Sequence, residues 1–451
     1  MKWRRNLVRM QEKNVALRNF LLDRVESGQW PSGAKLPGAR QLAVEAQCSF
    51  TYMQSVIESL VQQGVFVSIS RSGTYVCEHW RRRLLPDTIR LFLSQSRDRS
   101  RTGREFVSSL RSRFPDLRIV TGFERAAFEF RVSYDLLQNH RDYLDLAPYF
   151  RKCFPDSSQF CEEAFAPYRF GGELCGLPIR FSPRVVVFNR RIFAECGCPE
   201  PRPEWSWEEF LECIRNLRRR LPSEAVLPYP SLLFDFFAII SRFGGCFLDP
   251  SERDPVRIDS PATVRAVEEY CRLLEILGPP KFRSAGNGPP PEALLILTRQ
   301  EITQLFPDED GSAFGAVPLP LPENGRRINV YGVELLCVRN ECTDSRRIEQ
   351  MVSFLLSPSF QNQFGRNRDG IPVRRSSAKM SLAGDGPFDA LFRRETGCPA
   401  ANYHLYSPEL CRLAGNAIKL LTVTPRKEVR AFLRSWADAF RFLLRCDGLH
   451  R

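Results

Sequence analysis

The sequence predicts an α/β protein with more than one folding unit, and three observations lead there. A chain of 451 residues is longer than one hydrophobic core organises. From about residue 87 short apolar strands alternate with amphipathic helices, first TIRLFLS, then REFVSSLRSRFP, then DLRIV. That alternation is the pattern of an α/β domain with mainly parallel sheet. The first eighty residues follow another rhythm, with short helices, a hairpin and a local excess of positive charge.

That first stretch can be read element by element. Leu17, Leu21, Leu22 and Val25 recur at helical spacing between Val15 and Glu26, and Gly28 ends the helix. After the turn GQWPSGAKLPGA, Leu42, Ala43 and Ala46 mark a short helix from about Ala39 to Ala46. Gln47 and Cys48 make a tight connection, Ser49 is placed to cap the next helix, and Met53, Val56, Ile57 and Leu60 form its buried stripe as far as Gly64. VFVSISRSGTYV then alternates on either side of Arg71, Ser72 and Gly73 as a β-hairpin. Helix, short helix, longer helix and hairpin is the order of a winged helix-turn-helix.

Charge and composition narrow the classes. Residues 1 to 83 hold thirteen Lys and Arg against six Asp and Glu, so +7 of the net +13 sits in under a fifth of the chain. Such an excess attracts a polyanion or simply keeps a surface in water. No run of eighteen apolar residues occurs, which excludes a membrane-spanning helix. The opening MKWRRNLVRMQEKNVALRNFLL is interrupted by Arg9, Glu12, Lys13 and Arg18, so a secretory signal is not expected and a cytoplasmic location is. Fifteen scattered cysteines read as reduced, buried thiols, the pair Cys196 and Cys198 included, because no zinc-ligand spacing accompanies them.

The N-terminal wording resembles the GntR family of regulators, with LPGARQLA and RSGTYV standing at its two signature positions over residues 15 to 76. The resemblance implies a double-stranded DNA operator as partner and a homodimer. Its candidate DNA-binding residues are Arg40, Ser49, Thr51, Tyr52, Gln54, Arg71, Ser72 and Gly73, with Phe50 where the family commonly has Arg. Each also has a plain reading, Arg40 as a solvated helix residue, Tyr52 as a half-buried aromatic, Gly73 as turn geometry.

Beyond residue 87 no phosphate loop, no G-x-G-x-x-G and no nucleophile elbow occurs, and the whole chain has only four histidines, at 79, 140, 404 and 450. No catalytic residue, metal site or cofactor is therefore expected, and the protein reads as a binder rather than an enzyme. YLDLAPYF, then GELCGLPIRFSPRVVVFNRRIFAECGCPEPRPEWSWEEFLECIRNL, then RFGGCFLD, FGAVPLPLPENG and SFLLSPSFQNQFGRNRDGIPVRRS follow one another over residues 87 to 440. In order and spacing they resemble the extracellular solute-binding proteins of ABC transporters, the periplasmic-binding type II fold and its sugar-binding group. That resemblance implies two α/β lobes closing on a small molecule, a mono- or oligosaccharide by family. Candidate cleft residues are Arg180, Phe181, Phe243, Gly244, Gly245, Tyr331 and Gly332, with Tyr134 and Asp135. Trp205 and Trp207 are expected to pack, since Ser206 caps a helix carrying Phe210, Ile214 and Leu217.

Together these readings give a winged helix at 1–78, a basic linker at 79–86 and a two-lobed sensing domain at 87–451. The expected function is a ligand-responsive DNA-binding transcription regulator of the cytoplasm. The alternative is a regulator whose C-terminal domain no longer binds ligand and serves dimerisation or partner recruitment. An aminotransferase-like domain with pyridoxal phosphate is the enzymatic rival, but Lys152, Lys281, Lys379, Lys419 and Lys427 lack the setting of a Schiff-base lysine.

Overall fold

A computed structural model describes residues 17–446 except 26, 79, 81–88, 93–100, 115–116, 121–125, 134–135, 137–138, 171, 229–232, 250, 279–291, 307–311, 385 and 402–407. The chain divides into two compact units, Met1–Phe130 with Cys337–Arg346, and Arg131–Leu336 with Arg347–Arg451.

In the first unit α1 (residues 17–25), α2 (Ala39–Glu45) and α3 (Phe50–Gln62) precede a hairpin of β1 (Phe66–Ile69) and β2 (Gly73–Val76). Helical spacing explains the core, for Leu21, Leu22, Leu42, Met53 and Leu60 are fully buried against Phe66 and Val76. Ser49 caps α3 as its position predicts, its Oγ accepting from the Tyr52 N–H at 3.3 Å. β3 (Ile89–Phe92) follows, then α4 (Arg101–Arg113), β4 (Leu117–Val120) and β5 (Phe128–Val132). β3 runs parallel to both β4 and β5, the βαβ arrangement expected of this stretch.

The second unit departs from the expectation of mainly parallel sheet. After α5 (Ala147–Cys153), the buried strand β6 (Leu177–Ser182) is followed at once by β7 (Val185–Asn189). Then come α6 (Arg190–Cys196), α7 (Trp207–Arg218), α8 (Leu233–Ile240), α9 (Pro261–Leu277), β8 (Leu294–Leu297), α10 (Arg299–Leu305) and β9 (Phe314–Val317). β10 (Gly332–Val338), α11 (Ser345–Leu355), α12 (Pro358–Arg366), β11 (Ile371–Pro372), α13 (Arg375–Ser381), α14 (Pro387–Glu395), α15 (Pro408–Leu421) and α16 (Val429–Cys446) complete it. β6 pairs antiparallel with β10 and β11, and β7 lies antiparallel between β8 and β9. The pairing is antiparallel because the chain shuttles between two sheets, so a strand returning to a sheet runs against the one that left it.

The sheet of β7, β8 and β9 carries the larger core. Trp205 and Trp207 are each 3% exposed within it, as expected of packing residues, with indole N–H groups donating to the Pro318 carbonyl at 2.8 Å and to Glu269 at 2.9 Å. Ser206 and Glu209 form a reciprocal cap at the start of α7. The thiols are all free. Burial raises the pKa of Cys196 and Cys198, which fits inert packing residues. Among the described residues no group of His, Cys, Asp and Glu has metal-binding geometry, and no helix is long and apolar enough to cross a membrane.

Candidate functional site

Two residues, Pro183 and Arg184, carry the chain from β6 into β7, and the segment 329–332 carries it back into β10. A third segment, 395–401, runs beside them, for the Asn329 N–H donates to the Pro399 carbonyl at 3.0 Å and the Ala401 N–H to the Asn329 carbonyl at 2.8 Å. Asn329, fully buried, ties the three together. Its Oδ1 accepts from the Arg184 N–H at 2.9 Å, while its Nδ2 donates to the Arg184 carbonyl at 2.9 Å and to Glu395 at 3.0 Å. Arg242 joins Glu395 at 3.2 Å, and the Tyr331 hydroxyl donates to the Thr396 and Cys398 carbonyls. Such a buried hydrogen-bonded node fixes one arrangement of the crossing strands.

Where β7 begins and β8 ends, the same edge of the three-stranded sheet holds a polar cluster. Val185 pairs with Leu297, so this edge is the one from which the crossing strand emerges. The Arg184 guanidinium lies 3.3 Å from Asp235 on α8, 3.4 Å from the Ile296 carbonyl and 3.9 Å from Glu301 on α10. Burial pushes Asp235 up to about 6, against the pull of Arg184, and the neighbouring Glu301 carboxylate pushes the same way. Glu301 is 43% exposed, so the cluster opens to water on that side. Glu301 also caps α10 by accepting from the Thr298 N–H and hydroxyl, each at 2.7 Å.

The residues expected to contact ligand are placed as follows. Arg180 lies in β6, its side chain 4% exposed, between Glu334 at 2.8 Å and Asp369, whose carbonyl also accepts from it at 2.6 Å. Phe181 is 2% exposed and stacks edge-on against Tyr331 at 5.5 Å. Phe243 packs against Trp207 at 5.2 Å; Gly244 takes a φ of +80°, and a Cβ on Gly245 would stand 2.9 Å from that of Ala266. Gly332 begins β10 opposite Ser182, its missing side chain leaving room for Thr298. Tyr134 and Asp135 lie outside the described residues. The structure thus brings Arg180, Phe181, Tyr331 and Gly332 near the crossing strands and leaves Phe243 in a separate core. Sequence reasoning passed over Arg184, Asp235, Glu301 and Asn329, and only the SPR between two apolar strands hints at the first of them.

In the N-terminal piece, Arg40 is exposed and sits 5.6 Å from the Phe50 ring, Thr51 is exposed, and Gln54 donates to Glu58 at 2.9 Å. Tyr52 is half-buried with its hydroxyl unpaired among the described residues. Arg71 turns the hairpin at a φ of 59°, Ser72 shares a hydrogen bond with the Tyr75 hydroxyl at 2.6 Å, and Gly73, at a φ of +124°, abuts Lys35. α3 carries no Lys or Arg and one Glu, Glu58. Between residues 17 and 80 the cations Arg18, Arg24, Lys35, Arg40 and Arg71 are balanced by Asp23, Glu26, Glu45, Glu58 and Glu78. The basic excess of the first 83 residues therefore belongs to 1–16 and to Arg81, Arg82 and Arg83, all outside the described residues.

No profile of a known protein family matches the chain, and no curated protein matches it in sequence. Solved structures do match its fold. UgpB of Mycobacterium tuberculosis in complex with glycerophosphocholine is 17% identical at a TM-score of 0.63, covering 78% of this chain and 98% of its own. The GacH receptor of Streptomyces glaucescens, solved with acarbose, is 16% identical at 0.64, with 79% and 98% covered. The sugar-binding protein MalE of Xanthomonas citri is 15% identical at 0.63, with 81% and 100% covered. The chain therefore has the mixed α/β fold of the two-lobed type II periplasmic-binding proteins, and about a fifth of it lies outside that fold.

These matches overturn the expected function. The neighbours are sugar- and solute-binding proteins of ABC transporters rather than DNA-binding regulators, and a regulator with a ligand-free C-terminal domain fits them no better. The GntR resemblance has no support in any of the comparisons, and with the operator goes the basis for a homodimer. The charge balance of residues 17–80 gives a physical reason, since a helix free of cations has little to hold phosphates with. A cytoplasmic location is corrected on the same finding, because transporter receptors of this fold meet their solutes outside the cytoplasm.

Proposed function

We propose that this chain is a solute-binding protein that captures a small polyhydroxylated molecule of the carbohydrate class where its crossing strands join the two sheets. It is a binder rather than an enzyme. The observation that carries this reading is the polar edge formed by Arg184, Asp235 and Glu301, half open to water beside three crossing segments locked by Asn329. Ligands of open α/β folds bind outside strand ends, in crevices with a few convergent polar groups. The fold's solved relatives, which bind sugars and other small polar solutes, support the same reading. Among the described residues, Gly332 is the sequence-derived candidate that this site retains.

Residues 87–451 are taken as the binding fold and 79–86 as a linker. The order of helices and hairpin in residues 17–76 is that of a winged helix, proposed as an architecture only. Thermal unfolding against a panel of neutral and amino mono- and oligosaccharides tests the function. A ligand selective for the folded state, present at about a hundred times its Kd, adds about 2.7 kcal/mol of stability. At least one sugar is expected to raise Tm by several degrees, and a panel without effect removes the reading.

A further inference from the structure

The polar edge is unequal in charge. One guanidinium, that of Arg184, faces two carboxylates, Asp235 and Glu301, so the ionised cluster is one negative charge in excess. Asp235 bonds Arg184 through Oδ1 alone, and Oδ2 has no hydrogen-bond partner among the described residues although the side chain is only 15% exposed. No other charged group among the described residues bears on Asp235. A half-satisfied carboxylate in a partly desolvated place is costly unless a donor completes it.

The neighbouring clusters of the same unit differ. Arg180 is enclosed by Glu334 and Asp369 with side-chain exposures of 4%, 11% and 4%, closed to any solute. Arg299 is 1% exposed and spent on Asp389 at 2.6 Å and the Ser381 carbonyl at 2.9 Å. Arg184 with its two carboxylates combines excess negative charge with an opening to water, and it stands on the sheet edge from which the crossing strand leaves.

We infer that this cluster is a subsite for a protonated amino group, and that the solute class is an amino sugar rather than a neutral or acidic one. This rests on the solute-binding reading above. An ammonium group has three donors and one positive charge; it would complete Oδ2 of Asp235 and bring the cluster to neutrality. A neutral hydroxyl would supply the hydrogen bond but leave the charge, and a carboxylate or phosphate on the solute would add to it.

Glucosamine and its dimer and trimer, each titrated calorimetrically against glucose, cellobiose and cellotriose, provide the test. The amino member of at least one pair is expected to bind about tenfold or more tightly than its neutral partner, a difference of about 1.4 kcal/mol. Asp235→Asn is expected to erase that preference, the amino member losing about tenfold more affinity than its neutral partner whatever the change the two share. In the unaltered protein the preference is expected to shrink as pH falls from about 7.5 to about 5.5, since Asp235, held near 6, then takes up its proton. Equal binding of amino and neutral sugars, or an amino preference indifferent to both Asp235→Asn and pH, overturns the inference and leaves the solute-binding reading standing. Failure of every sugar to bind overturns both.

Discussion

Arg180 and Arg184 are four residues apart, and the fold treats them in opposite ways. Arg180 points into the sheet of β6, β10 and β11, where Glu334 arrives 154 residues later in the chain and Asp369 later still. Its charge is matched and its donors are used inside the protein. Arg184 stands just past the crossing, with its backbone held on both sides by Asn329 and its guanidinium on an edge that reaches water through Glu301. A cation enclosed by carboxylates holds a structure together, whereas a cluster left unequal in charge and open has chemistry to offer a ligand.

The largest effect is expected for Arg180→Met, which leaves Glu334 and Asp369 facing one another in the interior. Breaking a buried pair of this kind costs about 3–5 kcal/mol, read as a lower denaturation midpoint at unchanged slope. A loss below about 1 kcal/mol, the range of surface pairs, would show that Arg180 is not the structural arginine. Arg184→Met is expected to cost less, about 1–2 kcal/mol, because Asp235 can take up a proton and Glu301 remains solvated. Asp235 is held near 6 with Arg184 beside it and higher without that cation, so the penalty of the variant shrinks as pH falls toward about 6 and stays constant just below it. Least of all is expected from Glu209→Ala on α7, where the loss of the reciprocal cap costs about 0.5–1 kcal/mol and sugar binding stays unchanged.

Much of the fold was legible because it is written locally. Ser49 and Ser206 announce helix starts, the GTYV strand and its turn announce a hairpin, and DLRIV reads as the strand it is. Trp205 and Trp207 could be placed in a core from the helix they flank. What the sequence does not show is which distant residue completes a polar group. Nothing near GLPIR reveals that Glu334 and Asp369 consume its arginine, and nothing near Asn329 reveals that it holds Arg184. The antiparallel return of β7 was hidden for the same reason, since strand direction depends on which sheet the chain re-enters.

The N-terminal reading failed differently. Its helices and hairpin are present in the order the pattern predicts, but that shape by itself gives no grip on DNA. Placed on the fold, the charge separates from the shape. Residues 17–80 are balanced, and α3 presents Thr51, Ser55 and Glu58 outward with no cation to draw in a polyanion. Phe50, 46% exposed at the helix start, stands where the family resemblance would have had an arginine.

The most direct measurement is calorimetric titration of Arg184→Met beside the unaltered protein, with the sugar that most raises the melting temperature. With Arg184 part of the recognition edge, affinity is expected to change by about tenfold or more, about 1.4 kcal/mol, while circular dichroism of the variant stays native. Affinity preserved within a factor of about two, less than about 0.5 kcal/mol, would contradict a solute site on this edge.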